Sequence, residues 1–126
     1  RVTFKDSIPS AQMPAYYQRT DVVILPSRTR ANWKEQFGRV LVEAMACGVP
    51  VIGSDSGEIP NVIGDAGLLF PEGDAGSLRM QLARLIREPA LHAELSRRGR
   101  ERVLAHYTQA QVAAATFAIY QAVMGE

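Results

Sequence analysis

Two short apolar runs, DVVILP at residues 21–26 and PVIG at residues 50–53, constrain this chain more than any other feature. Neither alternates with polar residues and both are rich in Val and Ile, the pattern of strands covered on both faces of a parallel sheet. Parallel neighbours need a crossover, and residues 37–47 supply a helix for it. There Phe37, Val40, Leu41, Ala44 and Met45 fall at i, i+3, i+4, i+7 and i+8, a buried stripe, and Gly48 and Pro50 then end the helix. Further strand signals lie at residues 2–4 (VTF) and 67–70 (GLLF), and residues 13–20 carry two adjacent tyrosines on a short amphipathic turn. The alternation predicts an α/β fold built on a doubly wound parallel sheet. Four short strands are few, since such sheets average about five to six.

Beyond residue 70 the pattern turns helical. Residues 77–88 place Leu78, Leu82, Leu85 and Ile86 on one face before Pro89, and residues 90–106 carry Leu91, Leu95, Val103 and Leu104. A last helix over residues 109–124 has a stripe of Val112, Thr116, Ile119, Tyr120 and Val123. No internal repeat and no low-complexity tract occurs. With 126 residues, 47% of them apolar and 21% charged, the chain suits one folded domain and is too apolar for disorder. A net charge of +1 argues against a nucleic-acid binder that works through a large positive field. No apolar run approaches the ~20 residues of a membrane span, and no basic segment precedes an apolar one as in a signal peptide. The single cysteine, Cys47, excludes an internal disulfide framework, reads as a small buried hydrophobe and fits a reducing, cytoplasmic setting. Because the chain opens on strand-like residues at Arg1 without a Met, we expect it to be a piece of a longer protein.

Open α/β sheets bind ligands beyond the carboxyl ends of their strands, so residues 27–36 and 54–60 are the candidate loops. The first runs into Glu35-Gln36-Phe37-Gly38-Arg39-Val40, which places Gly38 in the first turn of a helix. A glycine there costs about 1 kcal/mol relative to Ala, but lets a ligand approach the backbone where free N–H groups attract phosphate. Glu35 and Glu43 are eight residues apart, about 12 Å on a helix. That exceeds the roughly 5 to 9.5 Å of carboxylates flanking one glycosidic bond, and suits two acids gripping opposite ends of a long ligand. The same spacing equally allows i,i+4 ion pairs of Glu35 and Glu43 with Arg39 on a solvated face. Arg28, Arg30, Trp33 and Lys34 make this loop basic and aromatic, suited to a phosphorylated or sugar acceptor. In the second loop the centre of residues 53–57 is Asp55, so G-x-S-x-G fails, and a flexible substrate-wrapping turn or a plain connection remains.

Dinucleotide and P-loop glycine patterns are absent. No Cys/His cluster and no Asp-x-Asp pair occurs, so no metal site and no cofactor is expected. His92 and His106 read as surface or helix-end residues. Arg97, Arg98, Arg100 and Arg102, interleaved with Glu94 and Glu101, make a solvated face or a patch for an anionic acceptor or a peripheral membrane contact.

Taken together, DVVILPS, the glutamates Glu35 and Glu43, and FGRVLVEAMACGVPVIGSDSGEIPNVIGDAGLLF resemble the donor-binding domain of the family 4 retaining glycosyltransferases (glycosyl transferases group 1) with the GT-B architecture. The likeness is close over residues 21–67 and extends weakly from Arg1 to about Tyr120. It implies a Rossmann-like C-terminal domain and sugar transfer from a nucleotide-diphosphate-sugar donor, with retention and without a bound metal, to a glycan, lipid or small-molecule acceptor. It implies that Glu35 sits beside the donor hexose as the catalytic carboxylate and that Phe37 and Gly38 present backbone to the sugar. The amides of Arg39 and Val40 would hold the diphosphate, Glu43 the ribose hydroxyls, and the backbone around Ile8 the nucleobase. Many relatives carry a second glycine and then a glutamate where this chain has Glu58 and Asn61. The family's diphosphate-clamping Arg and Lys and its acceptor domain would lie upstream of Arg1. The expected division is a partial nucleotide-sugar-binding domain over residues 1–108 and a helix over residues 109–126 that crosses to that acceptor domain. On this reading the chain alone is inactive. A non-catalytic α/β interaction domain, and a nucleotide-sugar epimerase or hydrolase relative, are the alternatives.

Overall fold

The computed structural model describes residues 1–125. Three parallel strands, β1 (Val23–Leu25), β2 (Val51–Ser54) and β3 (Leu68–Phe70), lie in the order β1-β2-β3. Val23 stands opposite Val51, and Ile52 opposite Leu68. Around them run a 3-10 turn at Ser10–Gln12 and α1 (Met13–Tyr17), then α2 (Arg39–Ala46) and α3 (Ile59–Ile63), and finally α4 (Ala75–Arg87), α5 (Pro89–His106) and α6 (Gln109–Met124).

All four residues of β2 are buried, because it has a strand on each side and helices on each face. Val51 belongs to a cluster with Leu41, Ala44 and Met45 of α2 and Ile59, Val62 and Ile63 of α3. Ile52 points the other way, into a cluster with Phe70, Leu85 of α4 and Leu95 of α5. β1 and β3 alternate in the same sense: Val23, Leu25 and Leu69 join the first cluster, Ile24, Leu68 and Phe70 the second. Continuous apolar runs are the sequence form of this two-sided burial.

Three expectations are corrected. Residues 2–4 form no strand among the described residues; Val2 is 80% and Phe4 95% exposed. Their strand-like composition has no neighbouring strand to pair with, and β preference acts only through such neighbours. Phe37 and Gly38 lie outside α2, which begins at Arg39, with Gly38 as its N-cap at φ +80°. The end of the second loop winds into α3, whose five residues are too few to show a helical period in sequence but bury Ile59, Val62 and Ile63.

Helix α5 ties the two faces together. Leu91 and Leu95 pack in the second cluster and Val103 in the first. The basic run turns out to be bracing: Arg102 donates to Val62 O at 2.8 Å and Asn61 O at 2.7 Å, and Arg100 donates to Ala46 O. Guanidinium groups thus close the carbonyl ends of α2 and α3, where a helix carries its partial negative charge. Arg97 and Arg98 pair with Glu94, and Arg97 also with Glu101. His92 meets Asp21 O through Nε2 at 2.9 Å, and His106 stacks edge-on against Tyr107. Cys47 is half-buried against the first cluster and free. Helix α6 starts with a capping box of Thr108 and Gln111 and buries none of its described residues; its apolar side chains run from Val112 at 49% to Val123 at 80% exposed.

Gly53 shows how tightly α3 is seated on β2. A methyl group on it would lie 2.4 Å from Ile59 Cγ2 and 2.8 Å from Ile63 Cδ1. Gly53→Ala is expected to destabilise the chain by about 1–3 kcal/mol, the usual effect of overpacking, as read from urea unfolding.

Candidate functional site

Because β1, β2 and β3 pair in register, their exits lie side by side at one edge of the sheet. A relay of polar contacts joins the three loops that leave there. Ser54, the last residue of β2 and fully buried, donates through Oγ to Ser27 O at 2.6 Å. Asp55 N–H donates to Phe70 O at 3.0 Å, and Asp55 Oδ1 accepts from Glu72 N–H at 2.7 Å. Glu72 Oε2 in turn accepts from the N–H and the Oγ1 of Thr29, each at 3.0 Å, while Thr29 Oγ1 shares a 2.9 Å hydrogen bond with Ser56 Oγ. The donors at Thr29, first its backbone N–H, hold the Glu72 carboxyl below its ordinary range.

Glu35 is fixed from two directions by this relay. Its carbonyl accepts from Glu58 N–H at 3.1 Å, and Gly57 lies so close that a methyl group there would stand 1.9 Å from Glu35 O. At φ +56°, Gly57 also sits where side chains are rarely tolerated. The Glu35 carboxylate accepts from Ser27 Oγ at 3.1 Å on one oxygen and from Gly38 N–H at 3.1 Å on the other, with Phe37 N–H at 3.4 Å. It therefore occupies the entrance to α2. Gly38 offers no side-chain cap, so the first-turn amides of Arg39 and Val40 have no partner from the helix itself. Left-handed geometry at Gly38 aims the helix start, and its missing side chain keeps the approach open.

Glu43 lies one turn further along. Its Oε1 accepts from Arg39 Nε at 2.7 Å and its Oε2 from Tyr17 OH at 2.9 Å. Tyr17 is 3% exposed, and desolvation first, then the hydrogen bond and charge of Glu43, push its pKa up to about 12. The phenol remains a donor at neutral pH.

The expected ligand-gripping pair is thus arranged differently from one shared groove. Glu35 lines a hollow of about 710 Å³ together with Arg30, Trp33, Lys34, Gly57 and Glu58. Glu43 lines a separate one of about 290 Å³ with Met13, Pro14, Tyr17, Arg39 and Cys47. The i,i+4 ion pair with Arg39 is made by Glu43; Glu35 makes none among the described residues. Phe37 packs edge-on against Tyr107 at 5.6 Å between ring centroids, and Val40 is half-buried against the first core cluster. Ile8 lines a third hollow with Lys5, Gln12, Tyr16 and Arg19, and the structure does not bring it beside Glu43. Sequence reasoning missed Ser27, Thr29, Ser56, Glu72 and Tyr17. Ser27, Thr29 and Ser56 fall within the two candidate loops and Tyr17 is one of two adjacent tyrosines on an amphipathic turn, whereas Glu72 left no signal.

Residues 1–102 match the family described as glycosyl transferases group 1. The chain belongs to that family. Among relatives of this glycosyl transferase group 1 chain, N-acetyl-alpha-D-glucosaminyl L-malate synthase of Bacillus anthracis is 41% identical over 93 residues, 72% of this chain and 24% of that protein. Sucrose-phosphate synthase from Thermosynechococcus elongatus superposes with a TM-score of 0.84 at 35% identity, over 99% of this chain and 31% of that one. The C-terminal domain of a glycosyl transferase group 1 family protein from Francisella tularensis gives a TM-score of 0.72 at 27% identity, over 84% of this chain and 53% of that structure. The α/β fold is accordingly that of the GT-B C-terminal domain. The chain spans about a quarter of the length of the curated relatives it matches, 24% of one and 27% of another. No described helix is long and apolar enough to cross a membrane.

Two substitutions test the relay. Gly57→Ala is expected to displace Glu35, with backbone NMR shifts concentrated in residues 27–38 and the core spectrum retained. For Glu72, a pKa lowered on folding means stability that is present above its unfolded value and lost as pH falls through the folded one. Acid titration followed at the Thr29 amide is expected to show a step below the ordinary glutamate range, and Glu72→Gln to abolish it.

Proposed function

We propose that this chain forms the donor half of a retaining glycosyltransferase that moves a sugar from a nucleotide-diphosphate sugar to a glycan, lipid or small-molecule acceptor. The observation that carries the reading is the unpartnered start of α2, with Glu35 on one side and Glu43 on the other. Backbone N–H groups at a helix N-terminus attract phosphate oxygens through both hydrogen bonds and the helix dipole. The amides of Arg39 and Val40 hold the diphosphate there. Glu43, an acceptor with two oxygens, receives the ribose hydroxyls, and Tyr17 fixes its carboxylate by a hydrogen bond. Phe37 and Gly38 present backbone to the hexose. Glu35 is the catalytic carboxylate beside the anomeric carbon, held ready by Ser27 and the Gly38 amide. The backbone near Ile8 closes over the nucleobase.

The N-acetyl-alpha-D-glucosaminyl L-malate synthase relative and the GDP-mannose-dependent phosphatidylinositol monomannoside mannosyltransferase of Mycolicibacterium smegmatis support a nucleotide-sugar donor and small or lipid acceptors for this chain. Helix α6 is read as the element that crosses to an N-terminal acceptor domain of the longer protein, which gives its exposed Ile119, Tyr120 and Val123 a partner. A cytoplasmic location fits the free cysteine. The separate hollows of Glu35 and Glu43 and the Arg39–Glu43 ion pair, which occupies an oxygen the ribose would need, favour a non-catalytic interaction domain.

Calorimetric titration with UDP-, GDP- and ADP-sugars separates these readings. One nucleotide sugar is expected to bind, and Glu43→Ala to weaken it by about tenfold or more, as loss of a charge-assisted hydrogen bond does. Unchanged affinity in Glu43→Ala refutes the ribose role. In the longer protein, Glu35→Gln is expected to lower kcat with little change in donor affinity, while the 126-residue chain alone shows no sugar transfer. Robust turnover by the chain alone overturns the division of labour.

A further inference from the structure

The two oxygens of Glu43 are held by donors of unlike kind. Tyr17 OH reaches Oε2 at 2.9 Å from a side chain that is 3% exposed and belongs to the first core cluster. Arg39 Nε reaches Oε1 at 2.7 Å from a side chain that is 81% exposed. The fold fixes the phenol, since moving it would open a cavity in the core. Among the described residues Glu43 is the one hydrogen-bond partner of the Arg39 guanidinium, and an exposed i,i+4 pair contributes little to stability.

The other ion pairs are built differently. Among the described residues the side chains of Asp65, Glu88, Glu94 and Glu101 face arginines in these pairs and Glu43 alone adds an uncharged, buried donor. Arg84, Arg97 and Arg98 are 44% to 55% exposed and thus more enclosed than Arg39. Arg39 is also the first residue of α2, so its own amide is one of the two without a partner at the helix start. Side chains on a helix lean toward its N-terminus. A guanidinium released from Glu43 therefore reaches the helix start by turning about its own bonds, with no backbone movement.

We propose that Arg39 exchanges partners when a nucleoside diphosphate arrives: its guanidinium passes from Glu43 to the phosphate oxygens, and Glu43 Oε1 passes to the ribose hydroxyls. The exchange rests on the donor reading above and adds to it a role for the Arg39 side chain, whose amide alone was assigned there. Toward Glu43 the guanidinium spends one Nε–H on one oxygen, whereas a phosphate group accepts two N–H bonds from the same fork. Glu43 loses a cation but gains hydroxyl donors. Tyr17 holds Oε2 throughout, so the carboxylate keeps its place as the arginine leaves. The ion pair then guards the oxygen that the ribose needs until the ligand itself displaces it.

The 126-residue chain is titrated calorimetrically with UDP, GDP and ADP, and the diphosphate that binds is carried through the variants. Arg39→Gln is expected to weaken it by about tenfold, as loss of a charge-assisted hydrogen bond does. The same loss is expected when Arg39→Gln is made in a Glu43→Gln background, because the guanidinium acts on the ligand and not through Glu43. Arg39→Lys, which keeps the charge without the fork, is expected to recover part of the affinity. In NMR the Arg39 Nε–H resonance is expected to shift as the diphosphate saturates the site. An unchanged thermal melt of Arg39→Gln shows that folding is not the cause. Arg84→Gln removes an ion pair of the same spacing on α4 and is expected to leave the affinity unchanged. Unchanged affinity in Arg39→Gln, a loss that disappears in the Glu43→Gln background, or an Nε–H resonance unmoved at saturation overturns the exchange while leaving the donor site in place. Binding of none of the three diphosphates overturns the donor reading, and the exchange falls with it.

Discussion

Strand β2 is enclosed on four sides, and the rest of the structure is arranged by that enclosure. With β1 and β3 at its edges and a core cluster on each face, it leaves no freedom of register to its neighbours. All three strands therefore end at one edge, and the buried hydroxyl of Ser54 must find an acceptor there. It finds Ser27 O, at the exit of β1. From that one contact the loops are locked in turn, Ser56 to Thr29, Thr29 to Glu72, and Glu72 back to Asp55. A site at the end of an open sheet commonly rests on mobile loops; here the loops are bonded to one another before any ligand arrives.

How much of this was legible followed from the range over which each signal acts. The runs at residues 21–26 and 50–53, and the stripe of Leu41, Ala44 and Met45, are local patterns, and all appear where periodicity placed them. Residues 2–4 carried the same local pattern without a partner strand, and so form none. Gly38 reads as a helical residue because the stripe starts one position earlier at Phe37, whereas its left-handed backbone makes it the cap. Glu35 and Glu43 were visible as a spaced pair, yet their actual partners were not. Tyr17 reaches Glu43 across 26 positions and Thr29 reaches Glu72 across 43, and no spacing rule extends that far.

The arginines make the same distinction in chemical terms. Sequence presents two basic groups, on α5 and before Glu35, that differ little in composition. On α5 the interleaved Glu94 and Glu101 and the carbonyl ends of α2 and α3 absorb the charge, and exposed pairs of this kind contribute little beyond fixing α5 in place. Around residues 28–34 the acids bond neutral donors instead, Glu72 those of Thr29 and Glu35 those of Ser27 and Gly38.

Glu35 stands between both halves of the site, and its contacts bear on the order of events there. Its carboxylate bonds the Gly38 amide, next to the first-turn amides that would receive a diphosphate. Two anions cannot share that entrance without repulsion, so an arriving phosphate favours release of the carboxylate from Gly38. Ser27 still holds the second oxygen, and the carbonyl of Glu35 stays clamped between Glu58 and Gly57. The backbone cannot follow, which limits the response to rotation of the side chain. An oxygen released from Gly38 would face the hollow that Glu35 lines with Trp33 and Lys34. On the proposed donor reading, the donor's own charge would place the carboxylate.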